Sequence, residues 1–158
     1  MSKLENYTFD DLEMGQTASI TRTVTDHDIR LFAAVSGDTN PVHLDAEFAA
    51  GTMFKERIAH GMFTAGLISN VIAMELPGPG TIYLGQDMRF ERPVKIGDTV
   101  TVTVEVIEKI DGKNFVKLSS IATNQDGKTV VSGVSTVMPP KEKLVLDRLP
   151  VPSVTIND

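Results

Sequence analysis

One long apolar segment, residues 59–76, places the strongest restriction on the folds open to this chain. Its apolar residues fall on nearly every side of a helix, so nearly every side must be buried. A few polar residues interrupt the segment, which favours a buried helix over a membrane span. Residues 77–80 (PGPG) end the helix, and residues 61–74 alone would extend about 21 Å at 1.5 Å per residue. We therefore predict a long central helix wrapped by a sheet.

The second half of the chain changes to the two-residue period of strands. Residues 99–108 (TVTVTVEVIE) alternate between apolar and polar residues, as in a half-buried strand. Asp-Gly pairs at 111–112 and 126–127 are typical of hairpin turns. Further strand candidates are residues 16–25, 81–90, 114–123 and 129–138. Together these elements predict an α+β fold with a curved antiparallel sheet around the central helix.

The length of 158 residues fits one domain, which we place at residues 1–138. Residues 139–158 hold four prolines and are expected to form a tail on the surface or across a partner subunit. A net charge of -6 argues against a nucleic-acid partner. The absence of cysteine excludes disulfides, thiolate nucleophiles and Cys-ligated zinc. The N-terminus has no apolar signal core, so we expect a cytoplasmic protein without a membrane anchor.

A helix followed by a rigid turn is predicted for residues 25–43. Thr25 and Asp28 have the spacing of a capping box, and Gly37 is suited to end the helix. Pro41 prevents the helix from continuing through the residue before it. Asp38 and His43 therefore lie on either side of a turn rather than on one helical face.

Asp38 and His43 are the strongest chemical signal in the sequence. Histidine titrates near neutral pH and can accept a proton, while a nearby carboxylate can orient the ring or hold a water molecule. The alternative is structural, with Asp38 capping the turn and His43 only packing. A metal site of Asp38, His43 and Asp45 is a further alternative, but its spacing matches no standard site.

Gly61 lies where the central helix should begin, so its N–H would be free to bind a carbonyl oxygen that becomes negative. Close helix–strand packing is the alternative reason for this glycine, and His60 is interpreted as a structural hydrogen-bonding residue. Ser69, about two turns along, could support a catalytic side chain or bond the preceding turn. Ile72 could limit substrate length or simply pack in the core. Cations that could contact phosphates are Lys55, Arg57, Arg89, Arg92 and Lys95.

These residues together resemble the MaoC-like family, specifically the (R)-specific enoyl-CoA hydratases. The matching signature is residues 32–43 (FAAVSGDTNPVH), continuing to Ala49, followed by residues 59–62 (AHGM) at the distance usual in the family. Residues 83–98 (YLGQDMRFERPVKIGD) match the family's middle strand region. The similarity covers roughly residues 10–138.

The resemblance implies a hot-dog fold that is usually a homodimer joined sheet to sheet. It also implies reversible addition of water to a trans-2-enoyl-CoA, giving the (R)-3-hydroxyacyl-CoA, without a metal or redox cofactor. By the same resemblance, Asp38 and His43 are the catalytic pair, Gly61 is the oxyanion donor and Ser69 supports the pair. A hot-dog thioesterase and a non-catalytic acyl-CoA-binding module stay open as alternatives, as do the acyl length, the carrier and the pathway.

Overall fold

The computed structural model describes residues 2–157, and its largest element is a five-stranded antiparallel sheet. The strand order in this sheet is β2-β4-β5-β6-β3, and β1 pairs with β7 in a separate two-stranded sheet. The strands are β1 Lys3–Glu5, β2 Thr17–Thr23, β3 Ile82–Phe90, β4 Thr99–Ile110, β5 Phe115–Thr123, β6 Thr129–Met138 and β7 Val145–Asp147. The helices are α1 Asp26–Ser36, α2 Pro41–Leu44, α3 Ala46–Ala50 and α4 Gly61–Met74.

The central helix α4 packs against one face of the large sheet, chiefly over β4. Ile68, Val71 and Ile72 of α4 are fully buried in this contact. Apolar and polar residues alternate along β4, and every second residue of a strand points to the same face. The apolar residues of β4 therefore form a wall that faces α4. The buried residues of this β4 wall are Val100, Val102, Val104 and Val106. The predicted α+β hot-dog arrangement of helix and antiparallel sheet is confirmed.

The enclosure of α4 differs from the sequence-based expectation on one side. Met62, Gly66, Ser69 and Ala73 form an exposed stripe along the helix. The sheet of one chain covers one side of α4, and the segments around it leave this stripe open. The nearly uniform apolar character of α4 therefore exceeds what burial within a single chain requires.

Local capping explains the position of α1. Thr25 accepts a hydrogen bond from the Asp28 N–H, and the Asp28 carboxylate accepts one from the Thr25 N–H, which confirms the capping box. Gly37 ends the helix with a φ of 77°, a left-handed conformation that costs glycine little. Asp28 also pairs with Arg22 of β2. Burial raises the pKa of the Asp28 carboxyl, but the bonds from Arg22 and Thr25 outweigh it and lower the pKa overall.

Two segments near the ends of the chain are paired, which the sequence did not predict for either segment. β1 pairs with β7 in the register Leu4 to Leu146. Asn6 is fully buried beside this pair and fastens it to the rest of the protein. Its Nδ2 donates to the carbonyl oxygens of Pro79 at 3.0 Å and Glu142 at 2.9 Å, and its Oδ1 accepts from the Leu144 N–H at 2.8 Å. One amide side chain thus connects the N-terminus, the loop after α4 and the C-terminal segment.

Strand β3 forms one edge of the large sheet, and no strand among the described residues pairs with its outer side. Ile82, Tyr83 and Leu84 of this strand are 50%, 38% and 46% exposed. Long, apolar, unpaired edges readily pair with another chain. Within residues 2–157, no helix combines the length and the apolar character needed to cross a membrane.

Candidate active site

The turn between α1 and α2 holds Asp38 through side-chain bonds to neighbouring backbone groups. The Asp38 N–H donates to Ser36 Oγ at 3.1 Å, and the Asp38 carboxylate accepts from the Asn40 N–H at 3.2 Å. Asn40 in turn caps α2, and Pro41 occupies the first position of that helix. The Asp38 side chain is half exposed. The turn therefore presents this carboxylate at the surface in a fixed orientation. Asp38 also caps the turn, which is the structural role that the sequence left open for it.

His43 is buried on α2 and faces Asp38 across the turn. Its Nδ1 lies 2.7 Å from the carbonyl oxygen of Ile58, which can only accept, so Nδ1 carries a proton. The other ring nitrogen, Nε2, lies 3.9 Å from Asp38 Oδ2. In the neutral ring, Nε2 therefore holds the basic lone pair. A water molecule at hydrogen-bond distance from both atoms fits this separation.

His60 supports this pair in a way that sequence reasoning only partly anticipated. Its Nε2 donates to the Asp38 carbonyl oxygen at 2.9 Å, and its ring stacks on His43 with centroids 3.8 Å apart. Phe32 packs on His60 at 4.8 Å. The Nδ1 atom of His60 is buried and has no hydrogen-bond partner within residues 2–157. The predicted structural role is confirmed, but its contacts with both Asp38 and His43 depend on the tertiary fold.

A cavity of about 520 Å³ opens beside His43 and the start of α4. Its walls are mostly apolar and include Thr64 of α4, Phe90 of β3 and Val131 of β6. Gly61, the first residue of α4, also lines it, and the N–H groups of a first helical turn have no partner in the helix. His43 and Gly61 therefore line one cavity, and Asp38 lies beside it next to His43.

Ser69 and Ile72 lie away from this cavity in the single chain. Ser69 is on the exposed stripe of α4, and Ile72 is buried in the core under the sheet. Ile72 follows Gly61 by three helical turns and lies on nearly the same side of α4. The structure thus brings together Asp38, His43 and Gly61, while Ser69 and Ile72 lie farther along α4.

The residues that could hold a metal ion in the structure differ from those that the sequence suggested. Asp45 is the N-cap of α3 and accepts from the Glu47 and Phe48 N–H groups, each at 3.0 Å, so its carboxylate is already engaged. Asp38, His43 and His60 instead offer ligand atoms within 4.8 Å of one another. One nitrogen of each ring is already engaged, because His43 Nδ1 and His60 Nε2 each donate to a backbone carbonyl oxygen.

Two of the five candidate cations have partners elsewhere. Arg57 pairs with Asp26 at 2.7 Å, and Lys95 lies 3.4 Å from Glu56. Arg92 lines the cavity itself, and its Nη1 donates to the Thr129 carbonyl oxygen at 2.8 Å. Arg92 is therefore the cation best placed to meet a ligand that enters the cavity.

Comparisons with known proteins agree on one group. The sequence model of the MaoC like domain matches residues 9–126. The (R)-specific enoyl-CoA hydratase of Rhodospirillum rubrum is 49% identical over 132 residues, covering 84% of this chain and 91% of the relative. The 3-hydroxybutyryl-CoA dehydratase of Methylorubrum extorquens is 44% identical over 135 residues, covering 85% of each.

A solved structure extends this similarity to nearly the whole chain. The R-hydratase PhaJ1 from Pseudomonas aeruginosa, in its unliganded form, superposes with a TM-score of 0.93 at 52% identity. The alignment covers 99% of this chain and 100% of the other. The similarity therefore includes the C-terminal segment after Met138, beyond the region that the sequence motifs cover.

Proposed function

This chain belongs to the MaoC-like domain family, and on that premise we propose that it is an (R)-specific enoyl-CoA hydratase. It adds water reversibly to a trans-2-enoyl-CoA and gives the (R)-3-hydroxyacyl-CoA. The observation that carries this function is the position of His43, whose Nε2 lies 3.9 Å from Asp38 Oδ2 and which lines one cavity together with Gly61, the first residue of α4. Addition of water to a conjugated thioester needs a base, a proton donor and an oxyanion donor. His43 is the base, the proton that it takes from water passes by way of Asp38 to the α-carbon, and the Gly61 N–H is the oxyanion donor.

The reaction begins at a water molecule held between Asp38 and His43. The thioester carbonyl makes the β-carbon electrophilic, and His43 Nε2 takes a proton as the water attacks that carbon. The bond between Nδ1–H and the Ile58 carbonyl stabilises the imidazolium that forms. Asp38 lies close enough to balance the new charge and to direct the proton back to the α-carbon on the same face.

Negative charge that builds on the carbonyl oxygen meets the Gly61 N–H. This amide is at the positive end of α4, where the helix dipole and the free N–H groups both favour negative charge. The apolar walls of the cavity lower the local dielectric and strengthen that interaction. Loss of a single oxyanion donor typically slows an enzyme about 100- to 1000-fold.

The direct test is an assay of the purified chain with trans-2-enoyl-CoA thioesters of increasing length. We expect loss of the enoyl absorbance, formation of the (R)-3-hydroxyacyl-CoA by chiral analysis, and no free thiol. Release of free CoA would instead indicate a thioesterase. Saturable binding without turnover at every length would indicate a binding module.

Ile72 is proposed to limit the acyl chain, because it lies on the side of α4 that continues from Gly61 into the core. Ile72→Val should shift kcat/KM toward longer enoyl-CoA substrates by about tenfold relative to crotonyl-CoA, since one methylene in an apolar pocket has about this effect. The same chain-length series measures it. An unchanged preference, with folding intact, would leave Ile72 as an ordinary core residue.

Ser69 is proposed to support the catalytic pair only in an assembled dimer, because its side of α4 is exposed in one chain.

We propose that two copies pair through β3, whose apolar outer edge is unpartnered among the described residues. Light scattering should then give twice the chain mass of 17.2 kDa. Leu84→Lys on the outer strand should shift the protein toward a monomer, and a monomeric wild type would contradict the pairing.

A further inference from the structure

Phe90, the last residue of β3, lies so close to Gly61 that a Cβ at position 61 would require its ring to move. A Cβ built on Gly61 would lie 2.5 Å from Phe90 Cε1, 2.8 Å from Cδ1 and 3.0 Å from Cζ. The first two distances are shorter than real Cβ contacts, so the phenyl ring lies close to the backbone where α4 begins. Gly61 is therefore packed closely against a side chain of β3 and also starts α4.

The environment of Phe90 is not that of a core side chain. The residue is 55% exposed, and its ring forms a wall of the cavity that Gly61 and His43 also line. Its strand neighbour Val131 lines the same wall. A large apolar ring that stays half exposed beside a polar site contributes less to the core than to the shape of that site.

The position of the ring bears directly on the Gly61 N–H. The amide nitrogen is bonded to the same Cα that would carry this Cβ, about 1.46 Å away. An acceptor held by this N–H would therefore lie beside the aromatic surface. The ring excludes water from that side, and a bond between an N–H and a developing oxyanion strengthens when water is removed.

We propose that Phe90 is a positioning residue for the reaction, which rests on the proposed hydratase function. Its ring holds the thioester carbonyl against the Gly61 N–H and keeps water from that bond. The same ring occupies the space that a Cβ at position 61 would need. An added methyl group at 61 would displace the ring or α4, and it would separate the carbonyl from its donor.

The test compares Phe90→Ala, Gly61→Ala and the double variant with wild type on a trans-2-enoyl-CoA. Phe48→Ala is the matched control, because Phe48 is 50% exposed on α3 and does not line the cavity. We expect Phe90→Ala to lower kcat about 10- to 100-fold, the range for misplacing a reacting group, with a smaller change in KM. Phe48→Ala should stay within about twofold of wild type. Phe90→Leu keeps an apolar side chain and should fall between Phe90→Ala and wild type.

The double variant separates positioning from simple packing. Without the ring, an alanine at 61 has room, so Gly61→Ala/Phe90→Ala should be at least as active as Gly61→Ala alone, with the two losses not multiplying. Multiplying losses, or a kcat of Phe90→Ala equal to that of wild type, would overturn the proposal while leaving the hydratase function in place. Absence of turnover by wild type would overturn both. Circular dichroism and thermal unfolding of each variant show that its fold is retained.

Discussion

Asp38→Asn and His43→Gln should each lower the hydratase kcat by about 1000-fold or more and leave the fold unchanged. General acid–base groups contribute about 100- to 10,000-fold each, and here the same water molecule depends on both. In Asp38→Asn, the new side-chain oxygen can still accept the hydrogen bond from the Asn40 N–H. The new side chain lacks the negative charge and the basic oxygen of Asp38. Gln places a polar amide near the position of Nε2 but offers no basic nitrogen there. Enoyl-CoA absorbance gives the rates, and circular dichroism checks the fold.

Two matched substitutions control for nonspecific effects. Asp45→Asn makes the same change at the N-cap of α3, where asparagine caps equally well, and it should keep nearly full activity. His27→Gln makes the same change at an exposed histidine whose Nε2 contacts only the Val154 carbonyl among the described residues. The double variant Asp38→Asn/His43→Gln should be little slower than either single variant, since the two groups act as one unit. Substantial turnover by either single catalytic variant would remove both residues from the mechanism.

The elements that sequence reasoning predicted well are those with local causes. The capping box at Thr25, the left-handed Gly37 and the proline start of α2 depend on residues within a few positions of one another. The valine alternation in β4 and the PGPG stop after α4 are local in the same sense. Because the turn at Asp38 is built from such local bonds, the chain itself indicates that Asp38 and His43 lie on either side of one bend.

The features that sequence reasoning missed depend on contacts between distant parts of the chain. The β1–β7 pair has only three residues on each side and joins Lys3 to Asp147, so neither strand has enough length to show a period. The stacking of His60 on His43 requires α4 to begin against the turn, which no spacing of residues reveals. The contact of Phe90 with Gly61 likewise follows from the sheet register. The support role of Ser69 stays a prediction, because its side chain is exposed in the single chain.

Gly133→Ala is the substitution expected to destabilise the fold most. Gly133 lies on β6 opposite Met88 of β3. A Cβ on Gly133 would lie 1.9 Å from the Asp87 carbonyl oxygen and 2.9 Å from the Asp87 carbonyl carbon. The obstacle is backbone, which cannot rotate away, so β3 must shift from β6 and lose hydrogen bonds of the ladder. Overpacking a rigid site typically costs about 1–3 kcal/mol, and we expect this change to cost at least about 3 kcal/mol. Urea unfolding at fixed protein concentration measures it.

Gly85→Ala is the matched control, because it makes the same change on the facing strand. A Cβ on Gly85 meets no atom within 4 Å, and its backbone is not left-handed, so its stability should stay within about 0.5 kcal/mol of wild type. The shift of β3 in Gly133→Ala should also displace Phe90 from Gly61, so the remaining folded protein should lose hydratase activity. If Gly133→Ala unfolds at the same urea concentration as Gly85→Ala, then β3 and β6 are not paired in this register. Phe90 of β3 would then not lie beside Val131 in the cavity wall.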